Sequence, residues 1–418
     1  MRSFRNFSTP MRLSSDYHLT YCTNIHPGES WDDMAQTLRT YVPTIKAKLH
    51  QPFGIGLRLS DQASREILER DELPKFKTWL AEQHCYVFTM NGFPYGGFHR
   101  QRVKANVHKP DWRTRERVEY TLRLFRILAE LLPEGIEGGI STSPISYKPW
   151  LTDADATEHA FRVGAEHLAE VAAELYRIRQ QTGQVLHLDI EPEPDGLLEN
   201  TQEVVDFFKG WLLPEGGAYL QKALGLTSQE AEQCLKDHIQ LCYDVCHFAL
   251  AYEAPANVFS TLRKEGIRIG KIQISAALKW FLPTDPVQRL TAAESLRPFV
   301  ESTYLHQVVE RTTSGALVQY PDLPEALDQL TKSDAVEWRT HFHVPIFLKS
   351  YGALSSTQED IVAVLKLLKT QKVTRHLEVE TYTWEVLPPE IRMSLAESIV
   401  RELQWVEETW QETSSATR

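Results

Sequence analysis

Four residues of this chain share a setting. Glu191, Asp244, Gln273 and Glu380 each close a short apolar run, in LHLDIE, LCYD, IGKIQ and HLEVE. Three carboxylates and an amide oxygen are hard or borderline donors, a set that suits a divalent cation such as Mn2+, Co2+, Mg2+ or Zn2+. Each has an ordinary alternative. A glutamate before proline can cap a helix or pair with a cation, Asp244 can satisfy nearby backbone, and Gln273 alone means little. Their recurrence at successive strand-like ends is what points to a shared site. His247, three residues beyond Asp244, is placed to orient a ligand or to face a substrate as an acid.

Other residues could join this chemistry. CYDVCH (242–247) carries two cysteines, but Cys242 and Cys246 lack the two-residue spacing of a zinc knuckle and there is no second pair to complete one. On a strand the two would share a face, so they read as buried small hydrophobes. HFHVP (341–345) puts His341 and His343 on one face if extended, which permits a pair of metal ligands or an ordinary edge strand. CTNIHPGES (22–30) and MNGFPYGGFH (90–99) read as loops that carry His26, Asn91 and His99 towards a ligand, or simply leave histidines on the surface. Lys148 and Arg58 could hold an anionic group, and Trp150, Trp280 and Trp384 could wall a ligand or pack a core.

The elements that must position these residues alternate. Strand-like runs begin at YHLTYCTN (17–24), FGIGLRLS (53–60), CYVFTMNG (85–92), GGISTSPIS (138–146), QVLHLDIEPEP (184–194), IQLCYDVCH (239–247), IRIGKIQIS (267–275) and RHLEVETYTW (375–384). Helical patterns or long connections follow each, ending in a helix from about 388 to 412. The alternation predicts parallel strands with right-handed crossovers, and eight units predict a closed (β/α)8 TIM barrel. An open doubly wound sheet has the same alternation. The barrel is favoured because no glycine-rich phosphate fingerprint follows the first strand. Polar residues also gather at the C-terminal ends of several strands, where barrel sites are built. One domain spans 1–418. Residues 278–370 form a large insertion between strands 7 and 8, expected over the barrel mouth, with a hairpin turning at TTSG (312–315). Residues 413–418 read as a frayed tail.

A formal charge of −11 argues against binding nucleic acid, whose phosphates call for a basic surface. The beginning of the chain lacks the apolar core of a signal peptide, and no run approaches the roughly 20 apolar residues of a membrane span. Five cysteines, an odd number, suit a reducing compartment better than a disulfide framework. A cytoplasmic protein acting on a small-molecule metabolite is expected, and oligomeric state is left open.

From LDIEPEP through YDVCHFALAYEAPANVFSTL and IGKIQIS to HLEVETYTW, the chain resembles the xylose-isomerase-like sugar isomerase/epimerase barrels. HLTYCTNIHPGESW, FTMNGFPYGGFH, PDW and YLHQV resemble a branch of that superfamily, the EboE-type metabolite-traffic proteins. The resemblance implies Glu191, Asp244, Gln273 and Glu380 as metal ligands, with Gln273 standing where the superfamily usually has histidine. It further implies Glu191 and Glu380 as proton-moving groups with His247 beside them; position alone, in loops, near a strand end or in the insertion, offers His26, Asn91, His99, Lys148 and His343 as substrate contacts. The implied activity is metal-dependent isomerisation or epimerisation of a small polar metabolite. The alternatives are a metabolite-binding barrel without turnover and a metal-dependent hydrolase of the endonuclease kind.

Overall fold

The computed structural model describes residues 12–14, 17–49, 53–99, 102–384, 387 and 394–415. After a short strand, Arg12–Ser14, that pairs antiparallel with the next one, seven parallel strands follow: β1 (Tyr17–Tyr21), β2 (Phe53–Arg58), β3 (Cys85–Asn91), β4 (Gly138–Thr142), β5 (Leu186–Ile190), β6 (Ile239–Asp244) and β7 (Ile269–Ile274). The chain then builds a second sheet from β8 (Ala277–Phe281), β9 (Val308–Thr312), β10 (Leu317–Tyr320), β11 (Ala335–His343), β12 (Ser350–Tyr351) and β13 (Leu354–Ser356). It returns to the first sheet with β14 (His376–Val379). The order β1-β14-β7-β6-β5-β4-β3-β2 is parallel throughout, with helices between the strands, and makes a nearly closed (β/α)8 barrel. Every residue of these eight strands is buried, because the barrel interior lies on one face and the helices on the other. That is why the strands read as apolar runs.

The seam between β1 and β2 closes differently. A single bridge joins Cys22 to Gly56. Threonine hydroxyls supply the remaining bonds: Thr20 Oγ1 donates to Gly54 O at 2.7 Å and accepts from Gly56 N at 2.9 Å, and Thr23 Oγ1 accepts from Arg58 N at 2.8 Å. A Cβ at position 56 would stand 2.7 Å from Tyr21 O and 2.8 Å from Glu378 Cδ, so glycine is what lets the two strands approach. Inside the barrel, Lys271 on β7 and Glu378 on β14 form an ion pair at 2.9 Å with both side chains fully buried.

The second sheet is antiparallel, ordered β10-β9-β11-β8-β13-β12, and springs from the top of β7, since only Ser275 and Ala276 separate β7 from β8. The hairpin expected at TTSG is present. Thr312 N donates to Ala316 O at 2.9 Å, and Gly315 supplies the positive φ of 84°. Several contacts tie this segment to the barrel's loops. Tyr304 Oη donates to Phe98 O at 3.1 Å, Val103 N to Thr303 O at 2.8 Å, Gln307 Nε2 to Pro194 O at 3.2 Å and Arg339 Nη1 to Ala249 O at 2.6 Å. Helix Gln358–Leu368 packs between helices Pro255–Glu265 and Leu395–Ser415 in the outer ring, so the expected limit of 370 includes a barrel helix.

The final helix runs Leu395–Ser415, so the tail expected to fray from 413 is helical through Ser415; 416–418 lie outside the described residues, as does the expected helix start near 388. No helix among the described residues is long and apolar enough to cross a membrane. Glu402, on this helix, is buried with Oε1 accepting from Thr381 Oγ1 at 2.7 Å and Ile346 N at 3.2 Å. Burial pushes its carboxyl up to about 8. A raised acid favours the folded state fully below the unfolded pKa near 4.5, and that contribution is lost as pH climbs towards 8. Glu402→Gln keeps the acceptor oxygen and removes the titration. Its stability relative to wild type is therefore expected to rise steadily from pH 5 to pH 8, at up to about 1.4 kcal/mol per pH unit, and its melting temperature with it. A pH-independent difference in parallel thermal melts would contradict this.

Candidate metal and proton-transfer site

At the C-terminal ends of the barrel strands lies a cavity of about 60 Å3. Its polar wall includes Asn24, Asn91, Lys104, His108, Glu191, Glu193, His247 and Glu380 from the barrel, with Gln307 and His341 from the segment that builds the second sheet. Phe93, Phe98, Tyr304 and Tyr382 are among its aromatic lining. Each strand end delivers its residue because a parallel barrel splays all its C-terminal loops to one side.

Glu191 follows β5 directly, with Oε1 3.8 Å from His247 Nδ1 and Oε2 without a partner. Asp244 ends β6 and caps helix Val245–Leu250. Its Oδ1 accepts from His247 N at 3.0 Å and Ser275 Oγ at 2.7 Å, leaving Oδ2 buried and unpaired. Glu380 follows β14, and its Oε1 accepts from Asn24 Nδ2 at 2.7 Å and Asn91 Nδ2 at 3.0 Å. His343 Nδ1 donates to Glu380 O at 2.9 Å. Ligand atoms of Glu191, Asp244 and His247 lie within 4.8 Å of one another, and so do those of Asp244, Cys246 and His343.

Burial, then the neighbouring Asp244, lifts the Glu191 carboxyl well above its ordinary range. Burial, then Glu191 and Asp244, does the same to Glu380, and burial with Asp195 next does it to Glu193. Lys271 is the cation acting on Glu191 and Glu380, and its ammonium is engaged by Glu378. Crowded buried carboxylates with unpaired oxygens are the setting a divalent cation would relieve, and Glu191, Asp244 and His247 are close enough together to fit one.

The remaining expectations divide. Asn91 reaches the cavity and holds Glu380. His99 stands behind it, with Nε2 donating to Asn24 O at 2.5 Å. Gln273 does not reach the wall. Register places it level with Glu378, two residues beneath Glu380, and its Oε1 accepts from Cys242 Sγ at 3.1 Å. His26 is buried, stacks on Tyr41 at 4.6 Å and bonds Tyr21 Oη at 2.9 Å, and it is not part of the cavity wall. Lys148 is also outside that wall, its ammonium paired with Glu199 and Glu203 at 2.7 and 2.8 Å. Arg58 is occupied by Gly28 O at 3.0 Å and Glu29 at 3.4 Å.

Trp150, Trp280 and Trp384 pack against Tyr147, Trp338 and Phe347 and do not line the cavity. Both cysteines of CYDVCH are buried and free, but Cys246 lies in the helix after β6 rather than on the strand face of Cys242. Asn24, Glu193, His108 and Gln307 went unread as site residues. His108 is buried, and its Nε2 lies 3.0 Å from Glu193 Oε1. Glu193 had a signal in the alternation of EPEP, which puts a second carboxylate two residues from Glu191.

No protein-family model matches the chain, and no curated protein matches its sequence. Solved structures resemble it in fold. A xylose isomerase-like TIM barrel protein from Mycobacterium smegmatis in complex with magnesium is 10% identical with a TM-score of 0.49, over 95% of this chain and 97% of that one. A D-tagatose 3-epimerase-like protein is 10% identical with a TM-score of 0.47, over 96% and 100%. The IOLI protein with a bound zinc atom is 12% identical with a TM-score of 0.45, over 94% and 98%. The chemistry of the site stands on this chain's own residues.

Proposed function

We propose that the cavity binds a small polar metabolite beside a divalent cation and moves a proton on it, as an isomerase or epimerase does. The observation that carries this reading is the placement of Glu191 and Glu380. They come from two separate strand ends, are both nearly buried, and face one cavity. Glu191, Asp244 and Glu380 would hold the cation; Gln273 is left out because its amide oxygen already accepts from Cys242. When bound, such an ion polarises a carbonyl oxygen and neutralises charge that develops beside it. The chain's own part is to position and exchange the proton. Asn24 and Asn91 fix Glu380 Oε1, which leaves Oε2 as its freer oxygen, and Glu191 keeps Oε2 unpaired. The aromatic lining limits water around the reacting carbon.

Three of the EboE-like motifs meet at this cavity, which supports that branch and a place in the processing or traffic of a secondary metabolite. HLTYCTNIHPGESW contributes Asn24, FTMNGFPYGGFH contributes Asn91, Phe93 and Phe98, and YLHQV contributes Tyr304 and Gln307. The test is solvent exchange. Metal-loaded protein incubated in D2O with a panel of aldoses, ketoses and 2-hydroxy ketones is expected to introduce deuterium next to the carbonyl of its substrate. Glu191→Gln and Glu380→Gln, checked for retained metal, are expected to slow exchange by roughly 10²–10⁴-fold. Ligand binding without any exchange by the wild type would favour the non-catalytic barrel.

A further inference from the structure

Three histidines meet at the mouth, each with its Nδ1 held by an oxygen. Nδ1 of His247 lies 2.9 Å from Pro192 O, and Nδ1 of His343 lies 2.9 Å from Glu380 O. A carbonyl oxygen only accepts, so both Nδ1 atoms carry the hydrogen. His341 Nδ1 lies 2.9 Å from Gln307 Oε1, and Gln307 is oriented by its own amide nitrogen, which donates to Pro194 O at 3.2 Å. The same tautomer is thereby fixed in all three rings, and in each neutral ring Nε2 is a lone pair.

Those lone pairs converge. Nε2 of His247 and Nε2 of His341 face each other at 3.1 Å, and Nε2 of His343 is buried without a partner. Two acceptors at that distance repel unless a cation draws them together. Two nitrogens bound at about 2.0–2.1 Å to one tetrahedral ion stand roughly 3.3 Å apart, close to the separation found. Ligand atoms of the three rings all lie within 4.8 Å of one another, and the rings are at most 6% exposed.

We infer that His247, His341 and His343 together hold a transition-metal ion of the class that prefers imidazole, such as Zn2+, Co2+ or Fe2+, in preference to Mg2+ or Ca2+. The inference rests on reading the barrel mouth as a metal centre, and adds nitrogen ligands that β11 of the second sheet brings to it. His341 and His343 both come from the end of that strand with ring centroids 5.5 Å apart, while His247 is fixed by the helix that Asp244 caps. A hard oxygen-loving ion gains little from three imidazoles, whereas a borderline ion gains most from them.

The test is Co2+ titration of the full-length protein after chelator stripping, followed by visible absorption and X-ray absorption fine structure. The wild type is expected to bind Co2+ with three imidazoles in the fine structure and to keep it against a hundredfold excess of Mg2+. The His341→Gln/His343→Gln protein is expected to bind at least about 100-fold more weakly, while Glu380→Gln keeps the imidazole signature. The wild-type fine structure does not depend on any variant folding. Co2+ held by oxygen atoms alone would overturn the inference, as would wild-type affinity in the double histidine variant; both leave the carboxylate site standing. Loss of binding in Asp244→Asn and Glu380→Gln, with the histidine variant unaffected, would overturn it in the same way. Retention of the imidazole-bound ion by both carboxylate variants would support it and count against the carboxylate site instead.

Discussion

Asp244→Asn protein is expected to bind divalent metal at least about 100-fold more weakly than wild type while keeping its melting temperature within a few degrees. Asparagine retains the Oδ1 that accepts from His247 N and Ser275 Oγ, so the helix cap and the end of β6 are preserved. What disappears is one negative charge and the unpaired Oδ2, the oxygen positioned for a cation. Because the cap survives, the substitution separates loss of ligation from loss of fold, which Asp244→Ala would not do. Metal analysis of dialysed protein with a thermal melt on the same sample decides it. Stoichiometric metal in the variant at wild-type affinity would remove Asp244 from the site.

Lys271→Met is expected to destabilise the protein by about 3–5 kcal/mol, because it leaves the buried Glu378 carboxyl without its ion-pair partner. Lys271 Nζ also donates to Met90 O at 3.3 Å, so the substitution strips a second acceptor. The pair Lys271→Met/Glu378→Gln is expected to recover much of that loss, since neither buried charge then remains. Urea denaturation of the two single variants and the double gives the coupling directly. Additive losses would mean that the two residues do not stabilise one another. The expected drop is large for a single substitution, and it would occur without touching the cavity wall.

The barrel was legible because parallel strands buried on both faces leave runs such as LHLDI and IGKIQI that surface strands do not. Glu191, Asp244 and Glu380 were legible because a strand end is visible in sequence and the C-terminal end has one destination in a barrel. Gln273 shows where that logic stops. The strand-end pattern fixes a neighbourhood, but register decides the level, and here it sets Gln273 beside Glu378, under the residues that reach the cavity. His26 and Lys148 show a second limit. A loop histidine can turn onto Tyr41, and a lysine near a strand end can be claimed by Glu199 and Glu203, through contacts that no local spacing announces. Asn24 and Gln307 fell to the same limit. Their roles depend on partners 356 and 34 residues away, Glu380 and His341.

The amide groups that hold Glu380 have a thermodynamic consequence. Asn24 belongs to the loop after β1 and Asn91 ends β3, so the two amides that meet on Glu380 Oε1 come from opposite sides of the β1/β2 seam that Thr20 and Thr23 close with hydroxyls. A ladder patched by side chains is the part of a barrel that opens at least cost. Anything that binds Glu380 only while both amides hold it, which requires the seam to be shut, draws down the open population by mass action. Occupancy of the cavity and integrity of the ring are therefore a single linked equilibrium: a ligand at the mouth acts as a clasp on a joint that the backbone alone leaves half fastened.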